Sequence, residues 1–209
     1  MTDATGGPVS DWPDYDKLLR SLSCWQDANS VPKEDPRHTQ ISACVYVTEE
    51  TQSAIDSYRR TTAFSEDGEA FLKKYGLLQA VQLQLDAVSS LGSCLGCNLK
   101  MDKYDGVKVA LNTRHTVAGH PIRSQTRGTK RHHFHDRISV MDPTVMRFMS
   151  FNAADPTEWR GETTTVDYLV NSVEAAVKSA LAELADFLCK HDGEELLEVK
   201  QATEADTNG

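Results

Sequence analysis

Apolar residues return at helical spacing along much of the chain, and that pattern predicts a mainly α protein. The clearest run lies between Asp67 and Ser93, where Leu78, Val81, Leu85 and Val88, with Leu95 beyond, recur every three or four residues. This spacing puts them on one stripe of a helix, which Leu77 and Leu91 widen. Ser65 or Asp67 can cap its start, Glu69 suits the first turn, and Gly92 and Gly96 would end it. A second amphipathic run, from about Thr165 to Lys190, sets Val166, Leu169, Val173, Val177, Leu181, Leu184 and Leu188 on one buried face. Thr164-x-x-Asp167 resembles a capping box there, and Lys190 and His191 complement the dipole at the far end.

The remaining elements are less regular. From Ile41 to about Thr62 an imperfect stripe (Ile41, Cys44 or Val45, Thr48, Ile55, Tyr58) favours a polar helix, although Ile41–Val47 is β-branched enough to read as a strand. Residues 13–25 form a short helix candidate, and 27–39, with two prolines, read as a loop. Another helix should cover about Asp102 to Val117 and stop at Gly119-His120-Pro121, because proline forces the residue before it into extended geometry. Arg137–Met141 and Val145–Phe151, either side of Asp142-Pro143, predict a small β-hairpin, and 121–136 read as a polar loop. The expected organisation is a tail over 1–10, an N-terminal helical arm over 11–66, and a helical domain over 67–191 with its hairpin near 137–151. An acidic tail over 192–209 completes it.

Charge and cysteine content narrow the classes. The net charge of −9 argues against a general nucleic-acid coat, which would be basic, but leaves room for a local basic pocket. No apolar run approaches the roughly 20 residues that cross a bilayer, and the first residues carry neither a basic region nor an apolar one, so a cytoplasmic protein is expected. Five cysteines, an odd number, fit reduced thiols. Cys94-Leu-Gly-Cys97 is a C-x-x-C, but a zinc site needs about four ligands and there is no second such pair. Structural cysteines are therefore the expected reading, with His132, His133 and His135 the alternative source of missing ligands. No cofactor is expected: glycine-rich phosphate loops, G-x-S-x-G and H-E-x-x-H are all missing.

One segment concentrates chemistry. Between Arg114 and Arg137 there are six Lys or Arg against one Asp, and five of the seven histidines, within an acidic protein. Within an unbroken helix, His120 would point well away from Arg114, at about 240°. The Gly119-His120-Pro121 break lets the chain turn, so the imidazole can swing back beside the guanidinium. Arg offers a planar fork for phosphate oxygens, and His shuttles protons near neutral pH. That pairing suits RNA cleavage without a metal. The plain alternatives are that Arg114 caps carbonyls or pairs with an acid such as Asp86, and that His120 buttresses the turn.

Arg114-His115-x4-His120 resembles the Arg-x(4–6)-His motif of the HEPN superfamily, which lies at a helix end with a polar residue after the Arg. Tyr75-Gly-Leu-Leu-Gln79-Ala-Val-Gln82-Leu-Gln84-Leu-Asp86-Ala-Val88 resembles the helix before that motif in a group of HEPN-like bacterial proteins. The resemblance covers about residues 70–190. It implies an antiparallel helical bundle, and a homodimer in which two Arg/His pairs share a cleft. It further implies a metal-independent endoribonuclease in a toxin or phage-defence role, with a possible antitoxin protein as partner, or a non-catalytic RNA-binding, nucleotide-binding or dimerisation module. Carried onto this chain, Arg114, His115 and His120 would be catalytic, Gln82 and Asp86 supporting, and Arg123, Arg127, Lys130 and Arg131 would guide RNA. Family members more often carry Asn where this chain has His115.

Overall fold

A computed structural model describes residues 36–115, 124–126, 129–135, 141–152 and 155–190. The chain is mainly helical with a small antiparallel sheet. Four helices, α1 (Pro36–Arg59), α2 (Asp67–Cys94), α3 (Asp105–Arg114) and α4 (Val166–Lys190), are joined by a 3₁₀ turn at Met101–Lys103 and by four strands. The strands are β1 (Ser124–Thr126), β2 (Thr129–His135), β3 (Val145–Asn152) and β4 (Asp155–Thr165), hydrogen-bonded in chain order. Among the described residues, no helix is long and apolar enough to cross a membrane. The expected tails and the 13–25 helix lie outside the described residues.

The helical stripes are the buried ones. On α2, Leu78, Val81, Leu85 and Val88 are at most 3% exposed, and on α4 Leu169, Val173, Val177 and Leu184 are fully buried. Each such side chain contributes roughly 1.5–3 kcal/mol relative to exposure. Leu188 is only half-buried, so the α4 stripe fades one turn before the helix ends. Segment 36–59 is a helix throughout, which settles the strand alternative and takes four residues from the expected loop. Its inward positions include the polar Thr48, Thr51 and Gln52, all buried, which is why its stripe looks imperfect in the sequence.

The described residues fall into two compact units. One takes the stretches 36–50, 86–101 and 177–190, and the other 51–85, 102–115 and 124–176 with its breaks. In the first, α2 ends on a left-handed glycine: Gly96 has φ 75°, Cys97 N–H reaches the Gly92 carbonyl at 2.9 Å, and Gly96 N–H reaches that of Ser93 at 3.2 Å. That is the Schellman arrangement. Gly92, also expected to stop the helix, lies inside it, where its bare Cα accommodates Leu99.

In the second unit, buried polar groups meet one another. Gln84 donates to Gln52 at 2.9 Å, Gln52 donates to Glu174 at 3.1 Å, and Arg59 grips both carboxylate oxygens of Glu174. Arg59 also reaches Asn171. Burying these groups is tolerable because most of their polar atoms satisfy one another; the Gln84 Oε1 finds no partner among the described residues. Lys74, fully buried, donates to the Val145 carbonyl at 2.7 Å, and the Tyr58 hydroxyl donates to that of Pro143 at 3.1 Å. Together they pin the turn that enters β3.

The sheet is where the sequence expectation needs correction. β3 matches the second expected strand, but its partners are β2, read in the sequence as polar loop, and β4, which no pattern announced. Of the first expected strand, 137–141, Met141 is in a turn and the rest lies outside the described residues. Neither Arg131–His135 nor Glu158–Thr165 shows an apolar alternation, so backbone pairing with β3 decides these strands. At the end of β4, Thr165 accepts the N–H of Tyr168 at 3.2 Å, placing the α4 cap one residue after the expected Thr164.

Candidate functional site

Arg114 is the last of the ten residues of α3, which starts at Asp105. A cation there faces the negative end of the helix dipole, a favourable placement. The last residues of the expected helix, 116 and 117, lie outside the described residues. His115 still has helical dihedrals, φ −61° and ψ −41°, and its N–H turns back on the carbonyls of Leu111 and Asn112.

The guanidinium is half-buried and approached from α2. Its Nη2 donates to Gln79 Oε1 at 3.4 Å, a long bond that orients more than it holds. Its Nε is buried and finds no hydrogen-bond partner among the described residues. A buried donor left open costs free energy, so it is a natural point of attachment for an oxygen ligand.

An open cleft of about 600 Å³ runs along α3 as far as Thr113. Val109, Asn112 and Thr113 of α3 form one wall, Phe148 of β3 and Glu162 to Thr165 of β4 form the floor, and Tyr168 of α4 stands at the rim. Thr113 and Phe148 are buried, whereas Asn112, Glu162, Thr163, Thr165 and Tyr168 are exposed. Hydroxyls, an amide and a carboxylate thus project over an aromatic base, a lining suited to a polar ligand that carries a flat ring.

The other expected residues divide into those placed and those not. His115 is exposed at the end of α3. His120, Arg123 and Arg127 lie outside the described residues. Lys130 and Arg131 belong to β2, with register partners Gln125 and Ser124 on β1. Gln82 is half-buried and Asp86 exposed on α2. Both share the helix face of Gln79, which lies three and seven residues before them. The residue seen to meet Arg114 is Gln79, which the sequence analysis named only within the motif and gave no role. The threonines of β4 carried no sequence signal, since their place at the cleft depends on a strand that no apolar period marks.

The two thiols of the C-x-x-C are a buried and a half-buried one. Cys97 is buried just past the Schellman turn, while Cys94 is half-buried and donates to Gln40 Oε1 of α1 at 3.5 Å. Among the described residues, no group of three His, Cys, Asp or Glu is arranged to hold a metal ion. A scan against family models found no match for this chain, and searches of curated proteins and of solved structures found none either.

Proposed function

We propose that the chain is a metal-independent RNA endonuclease of HEPN type, acting as a homodimer in a toxin or phage-defence role. The observation that carries the reading is Arg114: a guanidinium at the end of α3, oriented by Gln79, whose Nε finds no hydrogen-bond partner among the described residues. In the reaction, the ribose 2′-oxygen attacks phosphorus and the 5′-oxygen leaves, giving a cyclic phosphate and a free 5′-hydroxyl. Arg114 neutralises the charge that gathers on the phosphoryl oxygens. His120 moves the proton between the two oxygens, with His115 beside Arg114 at the site. Arg123, Arg127, Lys130 and Arg131 draw the RNA backbone in, and Gln82 and Asp86 support the face that carries Gln79. A separate antitoxin protein would restrain the activity.

A second copy has a ready surface. Leu72 (75% exposed), Tyr75 (36%) and Leu83 (42%) fall on the same side of α2 as Gln79. A dimer closing over this stripe would bring two copies of Arg114 toward a shared groove, as the resemblance implies.

The test uses purified full-length protein and single-stranded RNA in EDTA. Cleavage leaving cyclic phosphate ends is expected. Arg114→Ala and His120→Ala should each lower the rate at least ~100-fold, the scale of a lost charge-stabilising or proton-transfer group, with unchanged circular dichroism. Cutting that survives both substitutions overturns the assignment. The net charge of −9 favours a second reading, a non-catalytic binding module. It predicts salt-sensitive RNA or nucleotide binding without turnover in the same assay.

A further inference from the structure

Cys94 lies in the last turn of α2, and its S–H donates to Gln40 Oε1 of α1 at 3.5 Å. The Cys44 thiol stands near enough to Cys94 to feel it electrostatically. Gln40 and Cys44 are four residues apart, one turn of α1, so a single helix face presents both to Cys94. Cys44 and Cys94 are each half-buried and so within reach of a small solute, whereas Cys97 is 8% exposed. Burial first, and then the neighbouring Cys94, push the Cys44 thiol above its ordinary range.

We propose that Cys44 and Cys94 form a reversible dithiol–disulfide site, closed by oxidants of the peroxide class and reopened by low-molecular-weight thiols. Cys94 attacks the peroxide, the O–O bond breaks, and a sulfenic acid forms as one alcohol or water leaves. The Cys44 sulfur then displaces the sulfenic oxygen, which departs as water with the Cys44 proton. The two sulfurs give up two electrons, and the peroxide takes them. Two small thiols reverse the change by exchange, ending as their own disulfide. Because the partners sit on different helices, the bond ties α1 to the end of α2. A link within the C-x-x-C would span only neighbouring residues.

The experiment treats reduced full-length protein with hydrogen peroxide, blocks remaining thiols by alkylation, and maps the peptides by mass spectrometry. The expected product is a Cys44–Cys94 cross-link, ~2 Da lighter for two lost hydrogens, which glutathione removes. Cys97→Ser should keep the link, and Cys44→Ser and Cys94→Ser should each lose it. Should a serine variant fail to fold, the wild-type map decides alone. A dominant Cys94–Cys97 link overturns the proposal, as does over-oxidation of Cys94 without a cross-link, or linkage confined to Cys24 and Cys189.

Discussion

Lys74 shows how one residue can tie folding to pH. Its amine is fully buried, bonded to the Val145 carbonyl, and 5.9 Å from the centre of the Phe64 ring. Burial pulls its pKa down to about 8, against a smaller opposing pull from the Asp142 carboxylate. The folded pKa thus lies below the unfolded one, so the unfolded chain binds more protons between them, and this contribution to stability rises with pH from about 8 toward 10.5. Tyr58 and Cys44 are both raised and work in the opposite direction at alkaline pH. A comparison of wild type with Lys74→Met cancels them. Denaturant titrations from pH 8 to 10 should show wild type gaining on the variant by on the order of 1 kcal/mol per pH unit. A difference that stays flat would mean that the amine is not desolvated.

At the level of elements, the close crossing of α3 and α4 depends on Gly106. A Cβ there would stand 2.7 Å from the Ser172 carbonyl oxygen and closer still to the Ser172 side chain. Gly106→Ala should destabilise by about 1–3 kcal/mol through overpacking, even after alanine's better helix propensity. Gly76→Ala, with nothing within 4 Å, should instead stabilise by about 0.5–1 kcal/mol; chemical denaturation separates the two. The helices that the sequence reveals well are those whose own period is apolar: α2 within a residue at each end, and α4 within one residue at its start. α1 is harder because Thr48, Thr51 and Gln52 occupy inward positions and are satisfied by bonds that no local pattern can announce, such as Gln52 to Glu174, 122 residues away. β2 and β4 are invisible for the same kind of reason. Their strand state comes from pairing with β3, and so does half of the cleft. Arg114 was legible because helix, basic island and Gly-His-Pro break coincide in one short segment. Gln79 was legible only as a position within the motif.

For the whole molecule, assembly is the property most open to test. Leu83→Glu places a charge at one end of the exposed α2 stripe without touching the core. Light scattering of the purified variant should report a monomer where wild type is a dimer, with the circular dichroism spectrum unchanged. RNA cleavage should fall with it, because the shared groove needs both copies. A wild type that remains monomeric at micromolar concentration removes the dimer. The order of the sheet has its own consequence. A β1-β2-β3-β4 meander does not close, and no described strand pairs with the outer rim of β4. The outward amides and carbonyls along this strand would invite another extended chain to zip on, the usual beginning of fibrous association. Pro156 has no amide to offer near the start of that strand and Glu162 sets a negative charge farther along it, so a residue that borders the cleft also helps to keep neighbouring molecules apart.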